Sequence, residues 1–266
     1  MKHKLAAVGF CCADVYEKLG KFYPTGNGVD WGVHLARMGL DVSVVSVVGT
    51  DDYGEKMKQA LSAEGIDISH LRTEAGDTCK MMMDLKNGTD RVHLEEIEGV
   101  MADYALTKEE FDFVAGHTML HTDLFGKVLH HLPAWKAAGV QIVMDFSVFS
   151  EDPEYHCEEL FPYVDYAFLS YDGKKDEHIQ QWIKTIQSYG PKLVVATMGE
   201  LGGICFDGNT IYEYDIVPAE VVNTVGAGDS FIAGCTYGLL NGWDIPACLA
   251  SGAKLASSVV SKFEPY

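Results

Sequence analysis

The chain has 266 residues, 47% hydrophobic and 22% charged, enough apolar material for one large folded domain rather than two fully independent ones. Its 39 acidic against 20 basic side chains leave a formal charge of −19, which argues against a nucleic-acid partner, because phosphate binding of that kind needs a basic face. No apolar run approaches the ~20 residues of a membrane span, and seven cysteines without a C-x-x-C pair suggest neither a disulfide framework nor a zinc site, so no membrane partner and a cytoplasmic setting are expected.

The chain opens on "MKHKLAAVGFCCADVY", whose basic tip and short apolar run have the outline of a secretory signal. "KLAAVGF" also reads as a buried first strand, and the run ends at Asp14 without a small-residue cleavage site, so a strand is expected, with Asp14 just after it. "ADVYEKLGKFYPTG" follows, and "TGNG" then leads into the amphipathic pattern "GVDWGVHLARMG", which puts Gly26 and Asn27 at a turn and Asp30 in the first turn of a helix. A strand "VSVVSVVG" and a helix "GEKMKQALSAEG" continue the alternation.

The rhythm breaks at residues 78–99, "TCKMMMDLKNGTDRVHLEEIEG", where two extended arms flank "NGTD", a strong hairpin signal. Met81, Met82 and Met83 fit a strand with one apolar face there. Together with the segment around 13–24, this section is expected to form a small antiparallel flap beside the main sheet. Strands resume at "HTMLHTD", "VQIVMDF", "VDYAFLS" and "PKLVVATMG". Alternating strands and helices imply an α/β architecture, a mainly parallel sheet covered on both faces. Ligands of such sheets bind at the carboxyl ends of the strands, where Asp14, the "TGNG" turn, Asp145 and "TMGELGG" fall. His117, His121, His130 and His131 form no H-E-x-x-H pattern and read as packing or surface residues.

Near the C-terminal end, "NTVGAGDSFIAG" (223–234) clusters Gly226, Gly228 and Gly234 around Asp229. The residues Phe231, Cys235, Leu239 and Leu240 recur at helical spacing, with Gly242 as a C-terminal cap, so the first glycines sit at a helix N-terminus. There the unpaired N–H groups and the helix dipole allow Gly226, Ala227 and Gly228 to cradle an anion, most simply a phosphate. The plainer alternative is that Asp229 only favours the dipole and the glycines only turn the chain.

These features together resemble the PfkB, or ribokinase-like, family of carbohydrate kinases. Its C-terminal signature, Asp-Thr-x-Gly-Ala-Gly-Asp, is matched by "NTVGAGD" with Asn223 departing at the first position. Its N-terminal glycine-rich signature is matched loosely by residues 25–54, and "ATMGELGGICFDG" resembles its nucleotide-side strand-turn-strand. "EGVMADYALT", "DRVH" and the layout resemble, within that family, bacterial fructoselysine 6-kinases. The resemblance implies a ribokinase-like three-layer sandwich over residues 1–266, a single kinase domain carrying a β lid from about 13–24 and 78–99. It also implies ATP-dependent transfer of the γ-phosphoryl group to a hydroxyl of a sugar or fructosamine.

By position, Asp229 would be the catalytic base and Gly226, Ala227 and Gly228 the anion hole. Asp14, Gly26, Asn27 and Asp30 would hold the sugar, and Thr197, Gly199, Gly202 and Thr224 the ATP. Family members commonly have Gly-Gly at the first turn and asparagine where Thr25 and Asp30 stand. The Asn-x-x-Glu element that organises metal in the family is absent, Ser170 and Tyr171 standing in its place, so Mg2+ is expected with no protein ligand named. Dimerisation through the lid is a further expectation. Another sugar or nucleoside kinase, or a non-catalytic sensor on the same scaffold, is the rival reading. A dinucleotide oxidoreductase fails on the glycine spacing of "GNGVDWG".

Overall fold

A computed structural model describes residues 3–87 and 90–266; Gly88 and Thr89, at the centre of the expected "NGTD" turn, lie outside the described residues. The first half of the chain runs β1 (Lys4–Val8), β2 (Cys12–Tyr16), β3 (Lys21–Thr25), α1 (Asn27–Arg37), β4 (Asp41–Gly49), α2 (Asp52–Ala63), β5 (Asp67–Glu74), β6 (Lys80–Lys86), β7 (Asp90–Ile97) and α3 (Lys108–Ala115). The second half runs β8 (Met119–Asp123), α4 (Leu132–Ala137), β9 (Gln141–Asp145), β10 (Tyr166–Ser170), α5 (Glu177–Ser188), β11 (Leu193–Thr197), β12 (Gly203–Phe206), β13 (Ile211–Tyr214), α6 (Ala227–Leu240) and α7 (Ile245–Val260). Among the described residues no helix is long and apolar enough to cross a membrane.

The valine-rich runs are strands because each faces two cores. In β1, Ala6 and Val8 point into one cluster with Trp135 of α4 and Ile179, Ile183 and Ile186 of α5. The alternate residues Leu5 and Ala7 point into a second cluster with Trp31 of α1, Leu61 of α2, Phe231 of α6 and Leu249 of α7. Strand period two thus produces a continuous apolar string when both faces are covered. The nine strands follow the order β13-β12-β11-β10-β9-β8-β1-β4-β5. All pairs from β5 to β11 are parallel, and the β11–β12–β13 edge is antiparallel. This is the expected three-layer sandwich.

The flap is a separate four-stranded sheet, β3-β2-β6-β7. β2–β3 and β6–β7 are antiparallel pairs, but β2 and β6 join them in parallel, Ala13 opposite Lys80, a long-range pairing that no local turn signal announces. Asp14, expected in the loop after the first strand, instead lies inside β2. Gly234 belongs to packing, since a Cβ there would stand 2.7 Å from the Ser251 carbonyl of α7.

Helix starts distinguish structural ends from open ones. Asp51, Thr107, Asp176 and Asp244 cap α2, α3, α5 and α7 with side-chain acceptors. α1 and α6 begin instead at Gly26 (φ 137°) and Gly226 (φ 71°), with no side-chain cap. These two helices are tied together by the Trp31 indole N–H, which donates to Thr236 Oγ1 at 3.2 Å. The first turns of both helices also face each other closely enough for the charge of Asp229 in α6 to act on Asp30 in α1, and the first N–H groups of each lack a side-chain partner.

Candidate active site

The carboxyl ends of β8 and β9 lie side by side, with Asp123 opposite Asp145. Asp123 accepts from the Phe125 N–H at 2.7 Å, and Asp145 accepts from the Ser147 N–H at 2.8 Å, so short turns hold both carboxylates at the strand ends. Asn27, the first residue of α1, donates its amide to Asp145 Oδ2 at 2.9 Å and anchors the helix start to the sheet.

One turn further, Asp30 is 1% exposed. Its Oδ2 accepts from Thr25 Oγ1 at 2.7 Å, while its Oδ1 is buried with no partner. The two departures from the family turn thus answer each other, the threonine hydroxyl donating to the carboxylate that replaces an amide. Asp14 reaches the region from β2, and Asp229 from the first turn of α6; both are buried. A Cβ built on Gly228 meets nothing within 4 Å, so the α6 start faces open space.

Burial decides the electrostatics. It pushes Asp14, Asp123 and Asp229 up to about 7; the charge of Asp145 adds to the effect on Asp229. Asp30 is held well above the usual carboxylate range by burial and then by the charge of Asp229, with the Thr25 hydrogen bond opposing. Asp145 is raised by burial, offset by the Ser147 N–H and Asn27. One cation opposes several of these shifts. Arg91 of β7 lowers Asp14, Asp30, Asp145 and Asp229, and its backbone N–H donates to Thr224 Oγ1 in the signature loop at 3.4 Å.

Asp14, Gly26, Asn27, Asp30, Gly226, Ala227, Gly228 and Asp229 are therefore brought to one region where the small sheet meets the main one, and Thr224 adjoins it. The other three residues assigned to the nucleotide lie apart, on the β11–β12 side. Thr197 ends β11 and donates to the Leu169 carbonyl at 3.2 Å. Gly199 lines a shallow cleft of about 270 Å³ with Tyr171, Met198 and Leu201. Gly202 makes the β11–β12 turn, at φ 73° with a would-be Cβ 2.1 Å from the Tyr214 carbonyl, so its glycine is required by the backbone whatever binds beside it. Among the described residues no three His, Cys, Asp or Glu side chains converge to hold a metal ion.

Sequence reasoning missed Arg91, because a single arginine on an edge strand is a generic solvated charge, and it missed Asp123, although that residue closes "HTMLHTD" as Asp145 closes "VQIVMDF". His121 is a packing residue. It stacks on Trp31 at 5.2 Å, both ring nitrogens lack partners, and burial brings its pKa down to about 3, so it is neutral.

Comparison with known proteins shows the family and the fold. The chain is 36% identical to fructoselysine 6-kinase of Escherichia coli (strain K12) over 256 residues, 96% of this chain and 97% of that one. It is 31% identical to a fructosamine kinase of Bacillus subtilis (strain 168), covering 99% of this chain and 93% of the relative. Arabidopsis thaliana ribokinase, solved with ribose and ATP, superposes with a TM-score of 0.83 at 20% identity, over 99% of this chain and 94% of that one, and so shares the fold. The description "pfkB family carbohydrate kinase" matches residues 11–266. With the matched span taking in the small sheet, every strand of the main sheet except β1, and the glycine-led start of α6, the chain belongs to the pfkB family of carbohydrate kinases.

Proposed function

We propose that the protein is a fructoselysine 6-kinase, transferring the γ-phosphoryl group of MgATP to the primary 6-hydroxyl of a ketose-amine. The observation that carries the chemistry is the start of α6, where a buried carboxylate whose pKa is pushed up to about 7 stands in the first turn of a helix without a side-chain cap. Asp229 takes the proton of the 6-hydroxyl as that oxygen bonds to the γ-phosphorus and the bond to the β-phosphate oxygen breaks, releasing ADP. A base poised near neutral pH suits that task. The N–H groups of Gly226, Ala227 and Gly228 receive the charge of the transferring group. In a loose phosphoryl transfer this stabilisation and the alignment of reactants supply most of the catalysis.

Asp14, Asp30 and the Gly26–Asn27 turn hold the sugar. The unpartnered Oδ1 of Asp30 calls for a donor from the ligand, because a buried acceptor left unpaired is costly. A ketose-amine brings both hydroxyl donors and an ammonium, and a positive charge on the ligand would draw the raised carboxylate pKa values back down. Thr224, Thr197, Gly199 and Gly202 border the nucleotide, and Mg2+ accompanying it would offset the charge of its phosphates. ADP release that rises with added fructoselysine, with phosphate recovered on C6, tests this reading.

The chain works as one kinase domain whose small sheet is a lid, shutting water away from the γ-phosphate when the sugar is bound. A reducing cytoplasm suits its buried free cysteines. Lid strand β7 lies at a sheet edge and carries Leu94 at 60% exposure, which supports pairing of two lids in a homodimer. Light scattering is expected to give twice the 29.2 kDa chain mass, and a species of 29.2 kDa alone would remove the dimer.

A further inference from the structure

Residue 223 is asparagine where the family signature has aspartate, and the structure gives that amide a specific task. Asn223 is fully buried. Its Nδ2 donates to the Phe263 carbonyl at 2.9 Å and reaches the Tyr16 hydroxyl at 3.5 Å, while its Oδ1 accepts from the Val225 N–H at 3.1 Å. A carboxylate has no donor to offer. Aspartate here would set a buried charge against the Phe263 carbonyl.

The segment that Asn223 holds touches the small sheet, α1 and the start of α6. The Phe263 ring packs on Tyr16 of β2 at 5.2 Å and on Tyr23 of β3 at 5.7 Å, and Lys21 Nζ lies 4.1 Å above it. The Tyr266 hydroxyl donates to the Pro24 carbonyl of β3 at 2.7 Å, one residue before the Thr25 that bonds Asp30. Pro265 closes against the start of α6: a Cβ on Gly226 would stand 2.6 Å from its carbonyl oxygen, which also lies 3.3 Å from His34 Nε2 of α1. Four consecutive residues therefore bridge two lid strands, the sugar-side helix and the N-cap of α6.

We propose that Phe263–Tyr266 is a strap, anchored by Asn223, that transmits the position of the lid to the anion hole. A shift of β2 and β3 carries Phe263 and Tyr266 with it, and the same backbone sets how close Pro265 stands to Gly226. The hole is then aligned when the lid is down over sugar, so phosphoryl transfer to water is held back when no sugar is bound. Phe263 and Tyr266 are positioning residues, touching no substrate. The inference rests on the kinase reading, and its test has one measurement that does not.

In Phe263→Ala, ADP release stimulated by sugar is expected to fall about tenfold or more, the scale of a small misplacement of reacting groups. Release without sugar should stay within about twofold, so the ratio of the two falls. Tyr266→Phe, which removes a single oxygen, should shift that ratio in the same direction by less. Both rates falling in parallel, or neither changing, would overturn the strap. Hydrogen exchange on the unliganded protein supplies the independent measurement. Phe263→Ala should speed exchange in residues 12–25 and 224–228 together while the central strands β1 and β8 keep their protection. Faster exchange confined to residues 261–266 would overturn the strap even if no sugar proved to be a substrate.

Discussion

Asp229→Asn is expected to lower kcat by ~10²-fold or more, the usual loss on removing a general base, with ATP affinity nearly unchanged. The substitution keeps shape and removes only the ability to take a proton. In the unaltered protein, burial holds the Asp229 proton up to about 7, so kcat/KM should rise with pH through that value as the carboxylate becomes free to act. That limb should vanish in the variant. Stability moves the other way: the folded-state pKa of about 7 stands above the ordinary 3.8, so the stability this group lends at low pH is lost as pH rises through about 7. Above that pH the asparagine protein should be no less stable than its parent, which separates lost chemistry from lost fold. A loss of only a few-fold at saturating sugar would show that Asp229 is not the base.

Gly226→Ala is expected to damage both fold and turnover. The residue has φ 71°, and a Cβ would meet Pro265 backbone and ring atoms at 2.6 to 3.0 Å, so the strap or the helix start must move. About 1–3 kcal/mol of stability should be lost, the common cost of strain at such a position, and kcat should fall ~10²-fold as the hole's N–H groups lose alignment. Gly228→Ala isolates the second effect. Its Cβ meets no protein atom within 4 Å, so unfolding midpoints should hold or rise while turnover falls, the methyl occupying space left for phosphate. Full activity in Gly228→Ala would contradict the cradle.

What could be read from the residues follows burial and locality. The central strands were legible because two-sided burial writes them as unbroken runs such as "VSVVSVVG". Edge strand β5, "DISHLRTE", has one sheet neighbour and, apart from buried Leu71, only exposed and half-buried positions, so it carries no such run. α5 was readable in principle, with Asp176 as cap and Ile179, Ile183 and Ile186 at helical spacing, whereas the small residues of "IPACLASGAKLASSVV" hide the apolar stripe of α7. At the site, glycines betrayed the α6 start because they are costly without a purpose. Arg91, the β2–β6 pairing and the partners of Asn223 depend on segments 40 to over 200 residues apart in the chain, and no local pattern encodes them.

The central claim, phosphoryl transfer to the 6-hydroxyl of a ketose-amine, is tested most directly by coupled ADP release measured on one preparation. The acceptors compared are fructoselysine, related fructosamines, fructose, ribose, 2-keto-3-deoxygluconate and nucleosides. The expected result is a kcat/KM for fructoselysine about tenfold or more above that for the free sugars and nucleosides, equivalent to about 1.4 kcal/mol of transition-state binding. A preference of that size for a free sugar or a nucleoside would contradict the acceptor, and ADP release that no acceptor stimulates would contradict the kinase itself.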